Sequence, residues 1–465
     1  MSVRLPTCPG RTRPPAQRGH GDHGAGPLRG GRHRRDRGSQ HGHGGRAVGW
    51  PGGGGGPGVR LRGHAAAEGR GAPDAGRTAG RPLRGGAEEG PGGPHPGVPG
   101  LCGGEGQQAV AVAPPLAPSV GIIANPASGS DIRRLVALGI VVGAQDKINL
   151  IQRVLVGLDA AGAGRVYLMP DLLGIAQTAL ERLPGQAAAI REKAQLLPLP
   201  VEHAPEDSLR AAEEMRALGV GCIVVLGGDG TVRIVAKGCG PVPLLPVSTG
   251  TNNVVPYPLE GTLAGLAAGF VARRPDLLAQ VAYQSKRLVV SVDGREVDAA
   301  LVDVGVVQGQ AVASRAIWRP EAVRQVVVTR AMPTATGLSS LAGFVRPVTA
   351  REPRGLCLWL GEPRVCSVSA PLAPGLVVQV GVEAFRELAL GDSAMVYGGD
   401  VLLALDGERE VSLRPGQVAE VRLEGGGPWL VDPERALEEA VRQGAFVRWA
   451  SGAREGCAFR GRGDP

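Results

Sequence analysis

The sequence predicts a Rossmann-like parallel α/β domain followed by an all-β domain, with a disordered extension in front of them. Apolar strands alternate with helical stretches from about residue 118 to 285, which is typical of parallel βαβ units. From residue 286 short apolar strands follow one another, separated by Gly, Pro and Asp turns. Before residue 118 the chain has neither helical nor strand periodicity. We therefore expect an α/β domain at 118–285 and a β domain with a C-terminal helix at 286–451.

The basic charge of the chain belongs to the extension. The 465 residues carry a formal net charge of +8, but the first hundred hold 16 Arg, no Lys and only 6 acidic residues. The remainder has 35 basic and 37 acidic residues, so we expect no nucleic-acid partner for the folded part.

Residues 1–117 are rich in Gly, Arg and Pro, and their few apolar side chains cannot offset the entropy of ordering. One hypothesis is an RNA-binding arm, although only Trp50 is available for base stacking. A second is metal binding through His41 and His43. The composition favours the third, a disordered extension without function. The tail 452–465 is predicted to be disordered as well.

The remaining composition excludes several protein classes. No apolar run reaches about 18 residues, so we expect no membrane span. The 7 cysteines lack the paired spacing of a zinc ribbon or a disulfide scaffold. We expect a cytoplasmic homo-oligomer.

Each element of the first domain follows from local pattern. Asp171 is a candidate N-cap and Gly219 a candidate C-cap. The predicted strands are 120–124, 165–169, 197–201, 222–226 and 242–247, and the predicted helices are 144–160, 171–183, 186–196, 206–218 and 232–237.

In the second domain the strands are short and closely spaced. They are predicted at 288–292, 296–306, 324–328, 355–360, 377–382, 401–405, 409–413 and 418–423, before a helix at 433–442.

The central motif is a glycine-rich loop, which reads Gly227-Gly228-Asp229-Gly230-Thr231. It stands between a buried strand and a helix, so its glycines allow close approach of a ligand and the helix N-terminus favours phosphate. Asp229 would lie at the carboxyl edge of the sheet, where a carboxylate can take a proton or hold Mg²⁺. The alternative is an ordinary tight turn that only connects strand and helix.

Two further polar turns follow predicted strands. The first is Asn125-Pro126-Ala127-Ser128-Gly129, and the second is Ser248-Thr249-Gly250-Thr251-Asn252-Asn253. Together the three loops predict a ring of donors around a triphosphate. The sequence has no G-x-x-x-x-G-K-[ST] P-loop, so backbone and hydroxyl groups would hold the phosphates.

The three motifs in this order resemble the superfamily of NAD kinases and diacylglycerol-type lipid kinases. The segments NPASGSDIRRLVA and STGTNNVVP are most similar to those of the ATP-NAD kinase-like, AcoX-type proteins, and the resemblance covers roughly residues 119–447. The resemblance implies a nucleotide-binding α/β domain, a sandwich-like β domain and a cleft between them, with ATP and Mg²⁺ as cofactors and small-molecule nucleotide substrates. It implies Asp229 as the base or metal-linked acid. The nucleotide-binding residues that it implies are Asn125, Ser128, Gly129, Gly227, Gly228, Gly230, Thr231, Thr249, Thr251, Asn252 and Asn253.

Two sites in the second domain enter through the same resemblance. Asp406-Gly407-Glu408 resembles an element of lipid kinases whose acids face the cleft, so Asp406 and Glu408 are catalytic candidates; the alternative is a hairpin turn. Asp303 matches the second member of the substrate-binding pair of NAD kinases. Val302 replaces the first member, and a valine side chain cannot hydrogen-bond a ribose or a carboxamide.

Three functions are therefore open. The first is an ATP-dependent phosphotransferase that converts NAD and ATP to NADP and ADP. The second is a kinase of a lipid or a small polyol. The third is a non-catalytic nucleotide-binding accessory protein of acetoin catabolism.

Overall fold

A computed structural model describes residues 118–128, 142–183, 185–250, 253–309, 320–407 and 409–448. The predicted extension and tail lie outside these ranges, as do Gly129, Thr251, Asn252 and Glu408. In the part of the chain that is described, no helix is long and apolar enough to cross a membrane.

The first sheet has seven strands in the order β3-β2-β1-β4-β5-β18-β6. Its bounds are β1 (Ser119–Ala124), β2 (Arg165–Leu168), β3 (Ala194–Leu196), β4 (Cys222–Gly227), β5 (Leu244–Ser248), β6 (Ala282–Gln284) and β18 (Trp429–Val431). All pairs are parallel except β18 with β6. β4 is buried along its whole length, as expected for a strand with helices on both faces.

Helices cover both faces of the first sheet. Their bounds are α1 (Ala144–Ala160), α2 (Ile175–Glu181), α3 (Ala188–Lys193), α4 (Pro205–Ala217), α5 (Asp229–Gly238), α6 (Gly261–Arg273) and α7 (Leu278–Val281). One core contains the apolar faces of α1 and α6, and the other contains those of α4 and α5. α1 and α6 cross closely, because a Cβ atom on Gly265 would lie 2.2 Å from the carbonyl oxygen of Val154.

The rest of the chain forms two antiparallel sheets. The second sheet has the order β12-β13-β11-β10-β9-β15-β16 and the third β14-β17-β7-β8. Their bounds are β7 (Arg287–Val292), β8 (Arg295–Ala300), β9 (Asp303–Gln308), β10 (Val323–Val328), β11 (Arg354–Leu360), β12 (Cys366–Ala373), β13 (Leu376–Ala389), β14 (Ser393–Tyr397), β15 (Val401–Leu405), β16 (Arg409–Leu413) and β17 (Val418–Glu424). Residues of both sheets share one core, as in a sandwich, and helix α8 (Leu338–Val345) packs on the outer face of the second sheet. The predicted fold class is confirmed.

Several predicted elements were misplaced. The strand predicted at 197–201 lies at Ala194–Leu196, and the helix predicted at 186–196 is limited to α3 after one turn of 3₁₀ helix. Asp171 is not the N-cap residue of α2, but its carboxylate accepts hydrogen bonds from the Ile175 and Ala176 amides at 3.0 Å each. The strand predicted at 296–306 is two strands, since the chain turns at Leu301 and Val302.

The chain returns to the first sheet after the two antiparallel sheets. β18 inserts between β5 and β6, and helix α9 (Pro433–Arg442) packs against α6. The sequence analysis placed this segment with the β domain, because the pattern of an amphipathic helix does not indicate which sheet the helix covers. The domain limits themselves stay a prediction.

Candidate functional site

The three polar loops meet at one edge of the first sheet. β1, β4 and β5 are adjacent parallel strands, so their carboxyl ends lie side by side. Asn125 Nδ2 donates to Thr231 Oγ1 at 3.1 Å, which joins the first loop to the second. Thr249 Oγ1 donates to Ser128 Oγ at 3.0 Å, which joins the third loop to the first. The structure therefore brings the described residues of the three loops together, whereas Gly129, Thr251 and Asn252 lie outside the described ranges.

The 227–231 loop depends on glycine for its shape. A Cβ atom on Gly227 would lie 2.6 Å from the Cβ atom of Thr231, and one on Gly228 would lie 3.0 Å from Asn253 Oδ1. Because glycine has no side chain, the space beside Gly227 is free for the side chain of Thr231, which accepts the hydrogen bond from Asn125.

Asp229 is the first residue of α5, and its carboxylate accepts from the third loop. The Val254 amide donates to Oδ2 at 2.9 Å, and the Val255 amide donates to Oδ1 at 2.8 Å. Burial raises the pKa of Asp229 to about 7, the Val255 amide opposes that rise, and the nearby Asp406 carboxylate adds to it. Asp229 is thus a carboxyl group that can gain and lose a proton near neutral pH.

The described residues of the third loop bond to one another. Asn253 Nδ2 donates to Ser248 Oγ at 2.6 Å, and Ser248 Oγ donates to the Gly250 carbonyl at 2.6 Å. Directly after this loop, the amides of Val254 and Val255 donate to Asp229.

Lys147 was not predicted as a site residue. It lies on α1, only 2% exposed, and its Nζ donates to the carbonyls of Asn125 at 3.1 Å and Pro126 at 2.6 Å. These bonds hold the first loop against α1. The sequence signal that could have identified Lys147 is its place directly before Ile148, on the apolar face of a helix.

A cavity opens beside the first loop. The loops that follow β1 and β2 and the start of α4 line it. Its apolar lining includes Pro126, Met169, Leu172 and Val201, and its polar lining includes Asn125, Asp171, His203, Asp207 and Ser208.

Asp406 is enclosed and holds the 301–303 turn. Its Oδ2 accepts from the Leu301 amide at 2.9 Å, and its Oδ1 accepts from the amides of Val302 at 2.8 Å and Asp303 at 3.1 Å. Burial raises the pKa of Asp406 in spite of these donors. The carboxylate thus has a structural use, and its predicted catalytic role stays a prediction.

The position of Asp303 follows from that turn. Asp303 begins β9, is buried, and accepts the Asp406 amide on its carbonyl at 3.0 Å. Its role as a substrate-binding residue also stays a prediction.

A network of charges around the buried side chains of Arg233, Asp298 and Asp406 connects α5 to the antiparallel sheets. Arg233 Nη1 lies 3.2 Å from Asp298 Oδ1, and Arg233 Nε lies 3.7 Å from Asp406 Oδ2. Lys237 Nζ lies 2.6 Å and Arg409 Nε 3.3 Å from the Asp298 carboxylate. Sequence reasoning missed Arg233, since an arginine inside a helix gives no sign of a distant partner.

Two further buried cations lie where the first sheet meets the other two. Arg330, 3% exposed, donates to Tyr283 Oη at 3.2 Å and to Ser285 Oγ at 3.1 Å, and its positive charge offsets part of the rise in the pKa of Asp229 that burial causes. Lys286 Nζ donates to the carbonyls of Thr349 and Arg354. Burial, followed by the charge of Arg330, lowers the pKa of Lys286 to about 7.

Across the described ranges, no three His, Cys, Asp or Glu side chains lie close enough together to hold a metal ion. A Mg²⁺ that arrives with a nucleotide does not need such a cluster, because phosphates and water supply most of its ligands.

Comparison with solved structures gives distant likenesses. Yeast NADH kinase complexed with NADH aligns over 73% of this chain and 95% of its own, with 14% identity and a TM-score of 0.41. A diacylglycerol kinase of Bacillus anthracis str. Sterne aligns over 68% and 97%, with 12% identity and a TM-score of 0.34. Neither likeness bears on the substrate.

Sequence comparison is more specific. Residues 120–272 match the profile of the ATP-NAD kinase N-terminal domain, and residues 286–425 match that of the acetoin catabolism protein X C-terminal domain. Acetoin catabolism protein X of Cupriavidus necator is 38% identical over 336 residues, which cover 70% of this chain and 93% of the relative. The chain, with a kinase-type N-terminal domain and this C-terminal domain, therefore belongs to the acetoin catabolism protein X family.

Proposed function

We propose that the protein is an ATP-dependent phosphotransferase that acts on an alcohol, with NAD as the first acceptor to test. The observation that carries the proposal is the convergence of three strand-end loops on Asp229. A loop that served only as a connection would not need hydrogen bonds to two other loops.

The donor nucleotide would lie along the carboxyl edge of the first sheet. The N-terminus of α5 offers unpaired amides and the positive end of the helix dipole to its phosphates. The hydroxyls of Ser128, Thr231 and Thr249 stand around the same point. The cavity beside Asn125 is close enough to receive the nucleoside part.

Asp229 would act as the base toward the acceptor hydroxyl. With a pKa of about 7 it is deprotonated in roughly half of the molecules at neutral pH, which is near the optimum for a proton acceptor. When bound with the nucleotide, Mg²⁺ would be held by the donor phosphates and water and would neutralise charge on the transferred group, which leaves the Asp229 carboxylate to accept the proton. The amides of Val254 and Val255 would orient the Asp229 carboxylate toward the acceptor hydroxyl.

The proposal is tested by ATP consumption with a panel of acceptors on the full chain. NAD, NADH, diacylglycerol and small polyols are compared, and the phosphorylated product is identified by mass. NADP formation that disappears in Asp229→Asn supports the proposal. An Asp229→Asn protein with full turnover contradicts the role of Asp229.

A lipid or polyol acceptor is the second candidate, favoured by Val302. This residue is buried in the turn where the resemblance places a ribose-binding side chain, and it offers only methyl groups. Turnover with diacylglycerol or a polyol, and none with NAD, decides for this candidate.

A non-catalytic nucleotide-binding role is the third candidate, favoured by the structural use of Asp406. Tight ATP binding with no turnover on any acceptor of the panel would select it.

A further inference from the structure

We propose that Arg233 is a positioning residue that sets the distance between Asp229 and the 301–303 turn, acting through the carboxylate of Asp406. This inference rests on the proposed function, because it assigns the two ends of the link to the donor side and the acceptor side of one site.

The first half of the link is the position of Arg233 on α5. Asp229 and Arg233 are four residues apart, so they lie one helical turn apart on the same face. The side chain of Arg233 is enclosed, with 4% of the residue exposed, and it points at the antiparallel sheets rather than at solvent. Any shift of Arg233 is therefore a shift of the helix that carries Asp229.

The second half of the link is the grip of Asp406 on the turn. The side chain of Asp406 has 0% exposure, and its two oxygens accept the amides of Leu301, Val302 and Asp303. Asp406 also donates its own amide to the Asp303 carbonyl at 3.0 Å. Three hydrogen bonds thus fix the turn to the Asp406 carboxylate and a fourth fixes it to the Asp406 amide, and the cation on α5 that faces this carboxylate is Arg233, 3.7 Å away.

The other charges of the network show why Arg233 differs from its neighbours. Asp298 already has Lys237 at 2.6 Å and Arg409 at 3.3 Å, so it would stay neutralised if Arg233 were removed. Among the described residues, Arg233 is the only one that forms an ion pair with Asp406. A buried carboxylate that loses its cation is strongly destabilised, so the cost of removing Arg233 falls on Asp406 and its turn.

The chemistry of the side chain fits a bridge of this kind. A guanidinium group spreads its charge over a fixed plane: here Nη1 donates hydrogen bonds to Asp298, while Nε lies 3.7 Å from Asp406 Oδ2 in an ion pair without a hydrogen bond. An ammonium group is a single point of charge and cannot occupy both positions. The consequence of a loosened bridge is a displaced acceptor, and misplacement of about 1 Å can lower a reaction rate a hundredfold.

The experiment compares Arg233→Met with Lys237→Met in the full chain. Both variants remove one cation that contacts Asp298, but only the first removes a contact with Asp406. Steady-state kinetics with ATP and NAD, or with another acceptor of the panel if that one is turned over, are combined with hydrogen exchange of the amides of Leu301, Val302 and Asp303.

We expect Arg233→Met to lower kcat at least tenfold, with the KM for ATP within twofold of the wild type. Exchange at the three amides should rise at least tenfold. Lys237→Met should leave kcat and exchange within twofold. Asp406→Asn should resemble Arg233→Met, and the double variant should lose no more than the worse single variant, because the two residues act as one unit.

Arg233→Lys provides a variant that keeps the charge if the methionine variant fails to fold. It should retain the wild-type thermal midpoint within about 3 °C and still show raised exchange at the turn.

Equal losses in Arg233→Met and Lys237→Met would overturn the inference, as would losses that add in the double variant or unchanged exchange at the turn. If the wild type turns over no acceptor, the proposed function fails, and the hydrogen-exchange comparison still decides the role of Arg233.

Discussion

At the scale of single residues, Asp229 combines two opposing demands. It begins a helix, where the dipole favours a charged carboxylate, and it accepts two amides that do the same. Burial outweighs both and raises its pKa to about 7. The residue is therefore held as a weak acid at the place where a proton acceptor is needed.

The first prediction concerns the pH dependence of turnover. For the wild type, kcat/KM should fall about tenfold for each pH unit below about 7, because only the deprotonated form of Asp229 accepts a proton. Asp229→Asn should lower kcat a hundredfold or more. A flat profile between pH 5 and 8 would contradict this assignment; stopped assays at constant ionic strength provide the measurement.

The second prediction is that Asp229→Asn is more stable than the wild type at pH 8. The folded protein holds a proton on Asp229 up to about pH 7, whereas the unfolded chain loses it near 3.8, so stability falls as the pH rises through that window. The gain in the free energy of unfolding is at most about 4 kcal/mol at pH 8 and vanishes near pH 4.

Asp293→Asn is the control of opposite sign. The Val418 amide and then Gln417 lower the pKa of Asp293, so its stabilising effect is present at neutral pH and is lost as the pH falls through its lowered folded pKa. Urea unfolding at pH 4 and pH 8 separates the two cases. A destabilised Asp229→Asn at pH 8 would mean that its amide contacts outweigh the cost of burial.

At the scale of elements, the crossing of α1 and α6 depends on facing glycines. A Cβ atom on Gly157 would lie 2.2 Å from the Thr262 carbonyl oxygen, and one on Gly265 would meet that of Val154 at the same distance. Neither helix can accept a side chain here without moving away from the other helix.

The third prediction follows from this contact. Gly265→Ala should lower the free energy of unfolding by on the order of 3 kcal/mol, because the added methyl group meets backbone rather than a flexible side chain. Gly185→Ala is the matched control, since its Cβ atom would have nothing within 4 Å, and it should change stability by less than about 0.5 kcal/mol. Equal effects in thermal unfolding would contradict the role of the crossing.

The elements that sequence predicted are those with a clear period. α1 and α9 were predicted with the bounds that the structure gives them, because apolar residues recur on one face. α6 was missed, since Ala and Gly on almost every side leave no amphipathic signal. The short strands β6 and β18 were missed because three residues are too few to show alternation.

The residues of the candidate site also divide into those that the sequence predicted and those that it did not. The three loops were predictable, because each follows an apolar strand and uses the small polar residues that a phosphate needs. Arg233 and Lys147 were not, because their partners, Asp406 and the Asn125 carbonyl, are distant in sequence. Contacts between residues so far apart in sequence arise only from the way in which the folded chain arranges its strands and helices.

At the scale of the whole molecule, the uneven charge leads to the fourth prediction. A chain of residues 119–451 should keep the ATP turnover and the thermal midpoint of the full chain, because the described sheets begin at Ser119. Heparin should retain the full chain on a column and release it at about 0.3 M salt or higher, while the nearly neutral shorter chain passes through. Retention of both chains would place the basic surface on the folded part.

The position of β18 in the first sheet has a consequence for biosynthesis. Within that sheet β6 contacts β18, and β18 is made about 145 residues later, after both antiparallel sheets. A ribosome that adds ~5–20 residues per second therefore leaves β6 without its β18 neighbour for roughly seven to thirty seconds. The nascent first domain is exposed to chaperones and to mispairing during that interval, and a stalled ribosome anywhere before residue 431 would leave it incomplete.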